Sequence, residues 1–151
     1  MIDLDRFSQR PLGMRLAMLV RHWRAAIDER MQPLGLTQSR WALLFQLEHL
    51  GDGAIQSSLA AALGIELPSL MRTLEQLEAE GLIMRTRSAE DRRARCVALT
   101  HQGRERLNAA RSVEARVQRE LLAGFDDEER RLLDRLIEHL TINLADLRRD
   151  D

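Results

Sequence analysis

The chain has no lysine: all 23 of its basic residues are arginine. A GC-rich coding sequence is the simplest account, and the chemical consequence is a set of planar guanidinium forks suited to phosphate and guanine. There is one cysteine, Cys96, which excludes an internal disulfide and fits a reducing compartment. A quiet, half-buried thiol is the expected role for it. No apolar run approaches the roughly 18 residues that a membrane span needs, and the first residues carry no signal-peptide pattern, so a cytoplasmic protein is expected. His22, His49, His101 and His139 are scattered without ligand spacing to Cys96 or to carboxylates, so no metal site is expected. Glycine-rich phosphate loops, nucleophile elbows and HExxH runs are also missing, which argues against an enzyme. Glycine and proline are few, and there is no low-complexity run or repeat.

What is present is 151 residues, enough for one domain with a real core. The net charge of −1 hides a pattern along the chain: +2 over residues 1–51, −4 over 52–80, +3 over 81–95 and −2 over 96–151. Global charge governs solubility, whereas local charge governs contacts with polyanions.

The stretch from Ala60 to Leu99 is the most informative. Ala60, Gly64 and Leu70 are 4 and 6 residues apart, which suits a helix-turn-helix. That motif needs a small residue where two helices cross, a glycine at the turn and an apolar plug in the second helix. The first helix is expected over 56–63 and the second over 68–80, with Pro68 in the first turn, where its missing N–H costs nothing. Leu59, Leu63, Ile65, Leu74 and Leu77 supply the apolar face. Ser69, Arg72, Thr73 and Gln76 are then expected to point outward, a set of donors and acceptors that can read base edges in a major groove. Read alone, such a face is an ordinary solvated one.

Gly81 is placed to end the second helix. Beyond it, Leu82 to Ser88 and Arg95 to Leu99 read as two strands around a polar turn, with Arg95, Val97 and Leu99 alternating against Cys96 and Ala98. A charged hairpin directly after a reading helix makes a wing. From Gly81 to Arg95, five arginines face Glu90 and Asp91. Arg92 and Arg93 at the tip suit a narrow minor groove, while Arg85 and Arg87 are candidates for backbone phosphates. Asp91 is expected to orient the arginines by ion pairing.

On either side lie amphipathic helices. Leu12, Leu16, Leu19, Val20, Trp23, Ile27, Met31 and Leu34 follow a helical period from Pro11 onward. Thr37 is a candidate N-cap for a helix through Leu50, ended by Gly51-Asp52-Gly53, and Ala54-Ile55 suits a very short strand beside the wing. Thr100 is placed to cap a helix carrying Leu107, Ala110, Val113, Val117 and Leu121. After Gly124, the capping-box pattern Asp126-x-x-Glu129 opens a last helix with Leu132, Leu133, Leu136, Ile137, Leu140, Leu144 and Leu147. The end helices hold more apolar surface than a small module can cover. Interdigitation with a second copy, through residues such as Leu12, Leu16, Leu19, Leu133, Leu136, Leu140 and Leu144, is the economical solution.

Together these features resemble the MarR/SlyA family of winged-helix transcription regulators, and its SlyA branch in particular. The matching motifs are Pro11-Leu12, Leu19-Val-Arg-His-Trp23-Arg24, Pro33-Leu34-x-Leu36-Thr37-Gln38, Trp41, Gly64-Ile65-Glu66-x-Pro68-Ser69-Leu70-x-Arg72-Thr73-Leu74, Gln76-Leu77-Glu78, Gly81-Leu82-Ile83 and Asp91-Arg92-Arg93-Ala94. The resemblance implies a mainly α fold with a small β wing (α+β), a winged helix-turn-helix with N- and C-terminal dimerisation helices. Residues 1–36 would be the N-terminal dimerisation helix, 37–100 the DNA-binding module and 101–151 the C-terminal dimerisation helices, intertwined as one domain in practice. It also implies a homodimer on double-stranded DNA, reading a pseudo-palindromic operator as repressor or activator, cytoplasmic and nucleoid-associated. No cofactor is required. An aromatic carboxylate such as salicylate is implied as an effector, in a crevice lined by Arg24, Ser39, Trp41, Phe45 and Arg72. The rival reading is a helical dimeric interaction protein whose winged module docks a protein partner.

Overall fold

The computed structural model describes residues 7–88, 95–147 and 149. Six α-helices and three strands follow one another among these residues: α1 (Leu12–Met31), α2 (Gln38–Leu50), β1 (Ala54–Ile55), α3 (Gln56–Leu63), α4 (Leu67–Ala79), β2 (Ile83–Arg87), β3 (Arg95–Leu99), α5 (His101–Leu121) and α6 (Asp127–Leu147). The fold is mainly helical with one small antiparallel sheet, in the order β1-β3-β2. The expected tip residues Asp91, Arg92 and Arg93 lie outside the described residues, as do residues 1–6.

Two compact units make up the chain, Met1–Ala115 and Arg116–Asp151. In the first, the core is built from leucines of consecutive elements. Leu43, Leu44 and Leu47 of α2, Leu59 of α3, and Leu70, Leu74 and Leu77 of α4 are buried, together with Leu82 and Val97. Each such side chain contributes on the order of 2 kcal/mol through burial. Helix α3 ends at Gly64, whose φ of 63° takes the left-handed turn that the motif spacing requires. The N–H of Ile65 then closes back on the Ala60 carbonyl at 3.1 Å. Ile65 itself, expected on the apolar face, stays 38% exposed because it follows this turn instead of packing under the helix pair.

The hairpin is in the expected register. Ile83 pairs with Leu99, Arg85 with Val97 and Arg87 with Arg95, while Ala54 of β1 pairs with Val97 from the other side. Its inward face is apolar where it meets the core, at Ile83, Val97 and Leu99, and becomes arginine towards the tip.

At the start of α5, the Thr100 hydroxyl donates to the Gly81 carbonyl at 2.6 Å and accepts the Gly103 N–H at 3.0 Å. The expected cap is therefore also a tie to Gly81, just past the end of α4. Gly103 lies so close to the sheet that a Cβ there would come within 1.9 Å of the Leu82 carbonyl oxygen. The Thr37 expectation is half right. It occupies the N-cap position of α2, but its hydroxyl faces Ser39 at 3.3 Å and caps no amide.

In the second unit, Asp126 and Glu129 form a reciprocal capping box, each accepting the other's backbone N–H at 2.8–2.9 Å. Helix α6 has no buried residue; Leu133 is half-buried, and Leu132, Leu136, Ile137, Leu140, Leu144 and Leu147 are exposed. In the first unit, α1 likewise exposes Leu12, Leu16 and Leu19 and buries only Ile27 and Met31, at its C-terminal end.

Candidate nucleic-acid interface

Helix α4 is fixed by the leucines on one side, so its opposite side is fixed too. Pro68 falls in the first turn and Glu66 is the N-cap, with no side-chain cap bond; its carbonyl accepts the Ser69 and Leu70 N–H groups at 3.0 and 3.2 Å. Ser69, Arg72 and Gln76 are exposed, as expected. Thr73 is not. It is 7% exposed, and its hydroxyl donates to the Ser69 carbonyl at 3.3 Å. One helical step from Leu70 and Leu77, it lies on the edge of the buried stripe. A threonine can sit there because its hydroxyl finds a partner in its own helix. Of the four residues expected to point outward, Ser69, Arg72 and Gln76 do so and Thr73 does not.

The described part of the hairpin carries three arginines. Arg87 and Arg95 are exposed, and Arg85 is half-buried. Arg85 Nε donates to Glu78 Oε2 at 2.9 Å, and its Nη2 makes a second contact with the same oxygen. This bond to Arg85 holds the Glu78 carboxyl below the ordinary carboxylate range and raises the Arg85 guanidinium correspondingly. Arg85, a candidate phosphate ligand from the sequence, thus also seats the hairpin against α4.

Sequence reasoning did not single out a second arginine that grips the same helix. Arg40 of α2 pairs with Glu80, at the C-terminal end of α4, and donates to the Gly35 carbonyl at 2.8 Å. No local signal could have found it, since the partners are 40 residues apart.

Of the expected effector crevice, the structure brings together Arg24, Ser39 and Trp41, with Gln38, Leu63 and Ile65, around a cavity of about 310 Å³. Phe45 does not line it. Its ring instead meets Trp41 edge-on, at 5.9 Å and 81°. Arg72 stays on the exposed side of α4, away from this lining. The Trp41 indole donates to Asp28 Oδ1 at 2.7 Å, a partner not anticipated from the sequence. Cys96 is half-buried on β3, consistent with the thiol expected there.

Residues 36–94, which hold the helix-turn-helix and the first strand of the hairpin, match the model of the MarR family. The transcriptional regulator PA3341 is 36% identical in sequence, with 90% of this chain aligned to 99% of that one and a TM-score of 0.81. A MarR structure is 28% identical over 95% of this chain and 97% of its own, with a TM-score of 0.82. A MarR transcriptional regulator from Methanosarcina mazei Go1 is 26% identical over 90% and 97%, with a TM-score of 0.81. Members of this family are DNA-binding transcription regulators that work as dimers, not enzymes. No helix among the described residues is long and apolar enough to cross a membrane. The leucine-anchored reading helix, the arginine hairpin behind it and these likenesses have one explanation: the chain belongs to the MarR family of transcriptional regulators.

Proposed function

We propose that the chain acts as a homodimer on a pseudo-palindromic operator, reading bases through residues 68–80 and gripping flanking DNA with the wing of residues 85–95. The observation that carries this reading is the single polar face of α4. Pro68, Ser69, Arg72 and Gln76 are exposed on a helix whose other face is locked into the core by Leu70, Leu74 and Leu77. A rigid helix with a guanidinium, a hydroxyl and an amide on its open side has the chemistry of major-groove readout. Two copies related by a two-fold axis would present two such helices about 34–36 Å apart, one turn of duplex. The exposed leucines of α1 and α6 supply the apolar surface for that pairing. The motifs Gly64-Ile65-Glu66 to Leu74 and Asp91-Arg92-Arg93-Ala94 favour the SlyA branch of the family.

The effector proposed is a small aromatic carboxylate. Arg24 offers a charge-assisted bond to the carboxylate, Ser39 a hydroxyl, and Trp41 an aromatic wall. A molecule wedged there would alter the spacing of the two reading helices and so uncouple two-site binding.

Selection of bound sites from random duplexes, with and without salicylate, tests both halves. Palindromic enrichment that weakens with salicylate is expected. The double variant Arg92→Ala, Arg93→Ala should lose most duplex affinity. If its affinity is unchanged and no motif is enriched, the winged module is a protein-docking device instead.

A further inference from the structure

Helix α4 is held at its C-terminal end from two sides. Glu78 and Glu80 are two residues apart, and at about 3.6 residues per turn their side chains leave the helix on nearly opposite sides. Glu78 is taken by Arg85 of the hairpin, and Glu80 by Arg40 of α2. The same Arg40 donates to the Gly35 carbonyl at 2.8 Å. Gly35 belongs to the bend between α1 and α2, which it closes with a φ of 67° and an N–H bonded to the Gln32 carbonyl at 2.9 Å. A third helix grips that bend, because Arg106 of α5 donates to the Leu34 carbonyl. Polar contacts therefore run from Glu80 through Arg40 and the bend to Arg106.

The Arg40 side chain is only 12% exposed, against 44% for Glu80. Its contact with Glu80 is an ion pair without aligned hydrogen-bond geometry, and its Nε has no hydrogen-bond partner among the described residues. Withdrawing such a charge from water is costly, and an apolar chain of similar length would fill the place with little or no loss of stability. What an apolar chain cannot supply is an attraction aimed at one carboxylate. Apolar contact is non-directional, so the leucine stripe chooses the buried face of α4 more firmly than the exact roll of the helix.

We propose that Arg40 is a positioning residue for sequence reading: by holding Glu80 against the bend between α1 and α2, it sets the roll of α4. That roll aims Ser69, Arg72 and Gln76, which lie within about three helical turns of the clamp. Base contacts depend on hydrogen-bond alignment and weaken steeply off line, whereas phosphate contacts by charge tolerate a small shift. Loss of the clamp therefore falls on sequence discrimination rather than on binding as such.

The inference rests on the base-reading function proposed above, and one experiment separates the two. Affinity for a selected duplex and for a random duplex, with melting of the free protein, is measured for Arg40→Met, Glu80→Gln and the double variant. Arg40→Met should lower affinity for the selected duplex about ten-fold, the worth of one misaligned base contact, and leave the random duplex within about two-fold. The slope of log affinity against log salt should keep its wild-type value, since Arg40 neutralises no phosphate. Glu80→Gln, at a half-open side chain, should move the ratio of the two affinities the same way with melting unchanged. The double variant should be no worse than Arg40→Met alone, because the pair acts as one unit. A ratio unchanged in both single variants overturns the proposal and spares the reading of DNA. So does an equal loss on both duplexes with the slope reduced by about 1, which makes Arg40 a phosphate ligand. If Arg40→Met melts several degrees lower, Glu80→Gln decides. A fallen ratio there at unchanged melting upholds the proposal, and an unchanged ratio makes the pair structural and overturns it. A wild-type chain that enriches no duplex overturns both.

Discussion

Helices α4 and α6 are both rich in leucine and use it in opposite ways. In α4, Leu70, Leu74 and Leu77 are sealed completely, and the other side of the helix is left polar. In α6, Leu136, Leu140 and Leu144 also recur at helical spacing, yet they are 51%, 40% and 60% exposed. The same periodic pattern thus finishes its packing within the chain in one helix and leaves it unfinished in the other. Because α4 is satisfied at home, its orientation is set before DNA arrives. Because α6 is not, its leucine stripe is left open to a second surface.

The sharpest way to break this contrast is to damage the satisfied side. Gly103→Ala would drive a Cβ to within 1.9 Å of the Leu82 carbonyl, and Leu74→Ala would empty a fully buried position. Each should cost about 2–5 kcal/mol in denaturant titration. Leu140→Ala, by contrast, should change the stability of the isolated chain by less than about 0.5 kcal/mol. If Leu74→Ala and Leu140→Ala cost the same at low protein concentration, the distinction between the helices fails.

The unsatisfied side is attacked by charge. Leu136→Glu with Leu140→Glu should shift the dimer dissociation constant upward by at least about 100-fold, as two apolar anchors become desolvated carboxylates in an interface. Sedimentation at micromolar concentration would read this as a monomer. A variant that stays dimeric would place the contact elsewhere.

The smallest effect concerns the tie between hairpin and reading helix. The folded-state pKa of Glu78 is lowered, so its bond to Arg85 stabilises the fold fully above the ordinary carboxylate value of 4.5 and fades as pH falls through the lower folded-state value. Glu78 is 38% exposed, so screening limits the pair to under about 1 kcal/mol. Stability of Glu78→Gln relative to wild type, followed from pH 7 down to about 3, should show a deficit that shrinks on acidification. A deficit that grows instead has the wrong sign for this account.

The elements were legible in the sequence because each is written locally. Period-four leucines, Pro68 in a first turn, Gly64 and Gly81 after helices, and Asp126 with Glu129 at a start all act within a few residues. The site was legible where it depends on helix phase alone, as at Arg72 and Gln76. Thr73 escaped because residue type suggested exposure while its position suggested burial, and a bond to its own backbone settled the conflict in favour of burial. Arg40 with Glu80, Trp41 with Asp28, and Gly103 against Leu82 escaped for another reason. Each joins elements that only the tertiary fold brings together, and nothing near either partner marks it.

The central claim, two reading helices held one DNA turn apart by paired end helices, is tested most directly by spacing. Affinity should be measured on duplexes bearing two selected half-sites with centres about 10 base pairs apart, and on duplexes with the spacing lengthened by about 5. The account predicts tight binding of one dimer to the first and a fall to near single half-site affinity on the second, where the half-sites lie on opposite faces of the helix. Equal affinity for both, or one monomer bound per half-site without coupling, would contradict it.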